Sequence, residues 1–133
     1  MFSVEVRDRI MIGHSLPDPF FGPAQNMHGA TFVVDVVFFR ETLNRQNVVV
    51  DIGAALDTLA ETLKPLKYQN LDALPQFAGV LTTTEFLCKH IFDAMAAAAK
   101  SGALGADGAG LDRIRVTLHE TDLARASYEG ALA

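Results

Sequence analysis

The amino-acid sequence predicts an α+β fold, in which a four-stranded antiparallel sheet carries two helices on one face. Strand-like patterns lie at both ends of the chain, at residues 2–12 and 31–39 and again at residues 113–120 and 127–130. Two helical patterns occupy the middle of the chain. Strands grouped at the ends with helices between them are typical of an antiparallel α+β sheet.

A period of two predicts the first strand. Between residues 2 and 12 the apolar side chains share one side, interrupted only by Asp8, and polar side chains share the other. Residues 13–29 are rich in glycine and proline, which indicates a loop. This loop is long, and long ordered loops are often functional. Residues 31–39 are apolar on both faces, so we expect both sides of this strand to be covered.

Capping patterns predict the two helices. A polar turn and a short strand at residues 48–50 precede Asp51, an N-cap for a helix that Pro65 ends. Thr82 and Glu85 form a capping-box pattern that opens a second helix, which is expected to run to about residue 100 with Leu87, Ile91, Met95 and Ala98 on one stripe. Residues 101–110 are rich in glycine and alanine and are expected to be a mobile linker.

Length and charge narrow the classes of function. The 133 residues predict a single domain spanning 1–133. The net charge of −5 and the pI near 5.2 argue against binding to nucleic acid. No apolar run is long enough for a membrane span, and the N-terminus lacks a signal-peptide pattern. With Cys88 as the only cysteine, we expect a cytoplasmic protein.

The predicted sheet leaves one face without helices. That face carries Val33, Val37 and Phe39 or the alternate set of side chains on the same strand. Exposed apolar sheet surfaces and free edge strands are normally covered. The sequence therefore predicts an oligomer, and the alternative is that the long loops fold over the sheet.

The segment around His28 organises the rest of the chain. Residues two apart in a strand point to the same side, so a His-x-His pair opening a strand can offer two imidazoles to one zinc ion. Here His28 is followed two residues later by Ala30, and Gly13-His14 lies upstream. The pattern is that of a metal-and-substrate loop in which one ligand is missing.

Six short blocks resemble a known family. They are residues 12–17, 27–30, 49–52, 66–72, 82–85 and 118–121. In the same order, they resemble the motifs A-H-x-L-P, L-H-G-H, V-x-D-F, L-D-H-x-x-L-N, P-T-[SA]-E and V-x-E-T. This order is similar to that of the 6-pyruvoyltetrahydropterin synthase and 6-carboxytetrahydropterin synthase family. The resemblance implies the tunnelling fold (T-fold), whose sheets join into a barrel on oligomerisation.

The resemblance also marks what has changed. It implies a zinc ion held by three histidines, of which His14 and His28 are present while Ala30 takes the third place. We therefore expect no tightly bound metal unless another side chain replaces Ala30.

The family's general base is also missing. The cysteine that acts as the base corresponds to Ala24, and the aspartate and histidine that activate it correspond to Lys67 and Tyr68. Cys88 is predicted to be a buried hydrophobic residue within the second helix.

What remains is a pocket for a flat heterocycle. The resemblance implies that Glu120 accepts hydrogen bonds from the amino group and ring N–H of a pterin, with Thr83 and Thr84 beside the ring. A carboxylate offers two acceptors to two parallel donors. A surface position for Glu120 and a helix-capping role for the threonines are the alternatives.

Three functions stay open. The leading hypothesis is a protein that binds a pterin-like or purine-like small molecule without the standard reaction. A second is a lyase-like enzyme of altered chemistry on a pterin or dihydroneopterin triphosphate, using Lys67, Tyr68 and His14. A third is a structural or regulatory oligomer, for which Phe20, Phe21 or Met27 would block the pocket. The resemblance implies a homohexamer built from two trimers.

Overall fold

Four antiparallel strands and two helices form the fold, as the sequence predicts. The computed structural model describes residues 1–132, apart from the side chains of residues 106 and 107, so the predicted domain end at residue 133 lies outside this range. The sheet order is β1-β2-β3-β4. The elements are β1 (Phe2–His14), β2 (His28–Arg40), α1 (Ile52–Leu63), α2 (Thr84–Ser101), β3 (Arg113–His119) and β4 (Arg125–Ala131).

Strands β1 and β2 are longer than the sequence pattern predicts. They pair over 13 residues each, from Phe2 opposite Arg40 to His14 opposite His28. Gly13 and Gly29, which indicate loop in the sequence, face each other within this pairing. The connection between the strands is therefore shortened to residues 15–27, and both histidines lie within strands.

Both helices pack on one face of the sheet and close an apolar core. Asp51 caps α1 as predicted, because its carboxylate accepts the N–H of Ala54. On α2 the buried stripe differs from the prediction at one position, since Ala99 is buried where Ala98 is only half-buried. No helix within residues 1–132 combines the length and the apolar character that a membrane span requires.

The predicted third strand at residues 48–50 is wrong. Asn44 closes a turn instead, because its side-chain oxygen accepts the N–H groups of Gln46 and Val48. Val49 and Val50 are buried in the core but pair with no strand. The apolar pattern at these positions reflects burial of both side chains just before α1 and not a strand in the sheet.

The predicted capping box at Thr82 is wrong by one residue. Thr83 is the N-cap of α2, and its hydroxyl accepts the N–H of Phe86. Thr82 is buried instead, with its hydroxyl against His14. A run of three threonines allows either position to cap, and the buried histidine determines which hydroxyl turns inward.

The glycine-rich segment after α2 packs against the core, where Gly108 is buried as well as Leu104. Leu104 is buried, and a short 3₁₀ turn, Ala106–Gly110, leads to Leu111 at the start of the last hairpin. The mobility of residues 101–110 remains a prediction.

The side of the sheet opposite the helices, called here the open face, is more polar than predicted. Val33, Val37 and Phe39 do lie on it, but arginines from the flanking strands surround them. Val37 is already buried, and the guanidinium of Arg115 lies over the Phe39 ring. Charged side chains therefore cover much of the apolar surface that the sequence predicted would need a partner.

A charged network crosses the open face at its centre. Asp35 is nearly buried and accepts two hydrogen bonds from the directly opposite Arg7, at 2.6 and 2.9 Å. Its second oxygen also accepts Nε2 of His119 at 2.7 Å. The bonds from Arg7 are the largest cause that holds the pKa of Asp35 below its usual value, with His119 acting in the same direction.

We expect Asp35→Asn to lower the free energy of unfolding at pH 7 by about 2 kcal/mol, because hydrogen bonds to a charged group are replaced by weaker ones. The unfolded chain protonates Asp35 near pH 4, whereas the folded protein does so only at lower pH. The stabilisation is thus complete above about pH 4 and is lost as the pH falls through the lowered pKa. Urea unfolding at several pH values measures both effects.

Asp57→Asn is the matched control, since Asp57 is exposed on α1. Its stability should stay within about 0.5 kcal/mol of the wild type. Two outcomes would contradict the role given to Asp35. One is an equal loss of unfolding free energy in the two variants, and the other is an unchanged loss of stability at acid pH in Asp35→Asn.

Candidate functional site

The two predicted histidines come together at one end of the sheet. His14 ends β1, His28 begins β2, and the two residues are directly opposite each other. Their ring centroids are 4.5 Å apart, with an angle of 64° between the ring planes. Both side chains lie on the helix side of the sheet, and Ala30 follows His28 on that same side.

His14 is almost completely buried. Its Nδ1 lies 3.1 Å from the hydroxyl of Thr82, the residue just before the cap of α2. Burial is the largest cause that lowers the pKa of His14, and the neighbouring His28 lowers it further. Thr82, Asp72 and Glu120 act in the opposite direction without reversing the shift. His14 is therefore a neutral imidazole at neutral pH.

His28 is held in one tautomer by the backbone. Its Nδ1 lies 2.8 Å from the carbonyl oxygen of Asn26, which can only accept a hydrogen bond. Nδ1 therefore carries a proton and donates it to this carbonyl, and Nε2 is the ring nitrogen that is left for a ligand. Metal-binding and ligand-binding histidines are often oriented in this way.

The segment after α1 runs along the end of β1. The N–H of Tyr68 donates to the carbonyl of Met11, and Gly13 forms a bridge with Asn70. Asp72 then accepts hydrogen bonds from the backbone N–H and the hydroxyl of Ser15. A carboxylate is thereby fixed beside the residue that follows His14.

Glu120 lies at the same end of the sheet, just after β3. Its side chain is exposed in the single chain, and its N–H closes a turn to the carbonyl of Ala124. It is close enough to His14 for its charge to raise the pKa of that imidazole. His14, His28, Thr82 and Glu120 thus form one group, defined here as the histidine site.

The predicted threonines border the histidine site in different ways. The Thr83 hydroxyl is engaged in capping α2. Thr84 is the first residue of α2 and is half-buried. Thr82, which is predicted from the sequence to cap α2, is the threonine that contacts a site histidine.

The donor set of the histidine site does not fit a three-histidine zinc ion. Two imidazoles converge, but the third place on the same side of β2 is the methyl group of Ala30. Within the described residues no three His, Cys, Asp or Glu side chains are grouped so that they could hold a metal ion. Catalytic zinc sites use three protein ligands and leave a fourth position open.

The positions expected to hold a general base lack one. Ala24 lies in a 3₁₀ segment, Pro19–Gln25, and offers only a methyl group. Neither Lys67 nor Tyr68 has a side-chain hydrogen bond or ion pair to another residue within residues 1–132, and Tyr68 is 75% exposed. Cys88 is buried within α2, and burial raises the pKa of its thiol to about 11.

The described surface includes a smaller and a larger cleft. One, of about 460 Å³, lies between the start of the β1–β2 connection and the segment before α2, and is lined by Ser15, Asp72, Phe77 and Leu81 among others. Phe20, Phe21 and Met27 are not among its lining residues. The larger cleft, of about 770 Å³, lies at the opposite end of β1 and contains none of the predicted site residues.

The sequence predicts only a helix cap at Thr82, and it predicts no site role for Asp72 or Asp35. Asp35 did give a signal, because it is the one charged residue in the apolar run of residues 31–39. Asp72 is the last residue of the block 66–72, where the motif has asparagine. Its contact with Ser15 spans 57 positions of the chain, so no local pattern predicts it.

Comparison with known proteins identifies both family and fold. The family described as 6-pyruvoyl tetrahydropterin synthase matches residues 3–131. No curated protein matches the chain in sequence.

Among solved structures, 6-pyruvoyl tetrahydropterin synthase from Caenorhabditis elegans superimposes with a TM-score of 0.81 at 20% identity, covering 98% of this chain and 96% of that one. The corresponding protein from Plasmodium vivax gives a TM-score of 0.76 at 12% identity, covering 98% and 99%. That from Plasmodium falciparum gives 0.70 at 12% identity, covering 97% and 98%.

At these identities the structural likeness establishes the fold, and the match over residues 3–131 establishes the family. The order of six sequence blocks, the four-stranded sheet with its helices on one face, and the paired histidines at one end of that sheet all agree with this match. The chain belongs to the 6-pyruvoyl tetrahydropterin synthase family.

Proposed function

We propose that this protein binds a pterin-like or purine-like heterocycle at the histidine site and does not carry out the standard synthase reaction. The observation that carries the proposal is the closeness of the Glu120 carboxylate to the buried, neutral His14. A carboxylate near the neutral His14 imidazole keeps its negative charge free for a ligand. An arginine or lysine partner would have neutralised it, and none contacts Glu120 within residues 1–132.

The ligand class follows from hydrogen-bond geometry. Pterins and guanine carry an amino group beside a ring N–H, which gives two parallel donors on one edge. A carboxylate such as Glu120 offers two acceptor oxygens with matching spacing. Thr84, at the first turn of α2, is proposed to lie beside the ring, while Thr83 also caps the helix.

The absence of standard chemistry follows from the substituted positions. Proton abstraction requires a group that can accept a proton near neutral pH. Ala24 cannot do so, and the raised pKa of Cys88 keeps that buried thiol protonated. With Ala30 in the third ligand position, the two remaining imidazoles are proposed to bind zinc too weakly to retain it.

We also propose that the protein is a homohexamer in the cytoplasm, and the assembly is supported by free sheet edges and exposed apolar side chains. The edges of β1 and β4 have no strand partner within residues 1–132. Several apolar side chains near the histidine site are exposed in the single chain, among them Phe20 at 87% and Leu123 at 89%. Pairing of sheet edges between copies would satisfy the strands and cover these side chains.

Glu120→Gln should weaken pterin binding at least tenfold, because one of the two acceptor oxygens is replaced by an NH₂ group that opposes a donor. Isothermal titration with pterin and with lumazine, which lacks the amino group, separates recognition of this edge from simple stacking. The wild type should prefer pterin, and the variant should lose that preference.

Asp122→Asn is the matched control, since it removes one exposed carboxylate from the same turn. It should leave the pterin affinity within about twofold. Absence of pterin binding in the wild type, or equal losses in the two variants, would contradict the proposed ligand class.

Ala30→His should raise zinc affinity by roughly tenfold or more, because it completes three imidazoles on one side of the β1–β2 end. Competition with a chromophoric chelator measures the affinities. Gly29→His is the control, since Gly29 points to the opposite face and an added Cβ there would meet only ordinary contacts. Tight zinc binding by the wild type would contradict the proposed loss of the metal site.

Sedimentation velocity tests the assembly. At micromolar concentration we expect a single species with the mass of six chains, because the free strand edges and exposed apolar side chains would be covered together. A stable monomer under these conditions would contradict the proposed hexamer.

A further inference from the structure

Positive charge is concentrated on the open face. The chain has a net charge of −5, yet five arginines and no lysine lie on this face, against three carboxylates. The arginines are Arg7, Arg9, Arg113, Arg115 and Arg125, and the carboxylates are Glu5, Asp35 and Glu129. Arginine binds oxyanions through a planar fork of N–H donors, which lysine lacks.

Three of the five arginines are engaged within the protein. Arg7 binds Asp35 through two hydrogen bonds. Arg113 and Arg115 share Glu129, at 2.5 and 3.5 Å. These pairs occupy the middle of the open face and the end remote from the histidine site.

The remaining two arginines lie in one row across the sheet. Arg9 on β1 is opposite Val33, Val33 is opposite His119, and His119 is opposite Arg125 on β4. We call these four residues the basic row. Arg9 and Arg125 are exposed and have no ion-pair partner within residues 1–132. Their backbones are about 14 Å apart, three strand spacings, so their long side chains can both lean over Val33.

His119 provides a fixed polar group between the two arginines. Its Nε2 is held by Asp35 at 2.7 Å, and Asp35 is itself held by Arg7. The other ring nitrogen of His119 has no partner within residues 1–132. A ligand over Val33 could therefore meet two guanidinium groups and one oriented imidazole nitrogen.

We propose that the basic row is a binding site for a doubly charged phosphate group, either free or carried by a small molecule. Phosphate oxygens accept hydrogen bonds from both guanidinium groups. Free monohydrogen phosphate also has a P–OH donor, which a doubly charged phosphomonoester lacks. The free ion can therefore pair with the free nitrogen of His119 whether or not that nitrogen carries a proton. A carboxylate has no such donor at neutral pH, and this favours phosphate over a carboxylic acid.

The basic row is separate from the histidine site. Strand alternation places His119 on the open face and His14 and His28 on the helix side. The phosphate site therefore does not depend on the proposed binding of a heterocycle. The proposed assembly would enclose the open face, so the ligand is a small ion or molecule rather than a macromolecule.

Isothermal titration of the whole protein with inorganic phosphate and with glycerol 3-phosphate tests the proposal, first at low ionic strength and then at about 0.15 M salt. Arg9→Gln combined with Arg125→Gln should weaken binding at least tenfold. Arg45→Gln, which removes an exposed arginine in the connection after β2, should leave it within about twofold. Glu120→Gln should also leave it unchanged.

A second test uses the wild-type protein, so its result does not depend on whether the variants fold. In a nuclear magnetic resonance titration with phosphate, the ring signals of His119 should shift and saturate together with the heat of binding, while those of His28 should stay in place. Tighter binding of phosphate would assign the basic row to the free ion, and tighter binding of glycerol 3-phosphate to a phosphomonoester. Unsaturable binding, equal weakening by Arg45→Gln, or an unmoved His119 would overturn the proposal.

Discussion

The alignment of β1 with β2 is the constraint on which the rest of the structure depends. Thirteen consecutive residue pairs place His14 opposite His28 and Arg7 opposite Asp35. Because side chains alternate between faces, a slip of β1 by one residue would move His14 onto the open face and turn Arg7 toward the apolar core, away from Asp35. The histidine site and the charged network are thus two consequences of a single register.

Asp35 helps to specify that register at a cost in desolvation. A carboxylate in the middle of an apolar strand is unfavourable unless it is paired and hydrogen-bonded. Arg7 is directly opposite and half-exposed, so it neutralises the charge while keeping part of its own hydration. His119 binds the second oxygen from the other neighbouring strand. Three strands are therefore aligned by one buried carboxylate, and alternative registers would leave it unpaired.

The two faces of the sheet have different chemistry although they share the same strands. On the helix side, burial keeps His14 neutral, and within the described residues no lysine or arginine pairs with the nearby Glu120. On the open face, arginines outnumber carboxylates, so only some of the guanidinium groups pair with a carboxylate. The resemblance to the family implies a base at position 24 and a third metal ligand at position 30. Ala30 lies on the helix side, and Ala24 lies in the 3₁₀ segment before β2. Alanine fits both positions, one in a connection and one in a half-buried strand.

The sequence by itself determined the fold class and the family, because period-two patterns, caps and the order of short motifs are local properties of the chain. The motif order also assigned His14 and His28 to one site, whereas their pairing within strands came from the structure. The sequence also placed Asp51 as the cap of α1 and indicated Ala30 in place of a third histidine. Only the tertiary structure decided that residues 48–50 pack without forming a strand and that Thr83 rather than Thr82 caps α2. It alone revealed the bonds of Asp35 to two different strands. Those outcomes depend on contacts between residues far apart in the chain, where burial of one side chain decides which neighbour satisfies its hydrogen bonds, and no local pattern encodes that choice.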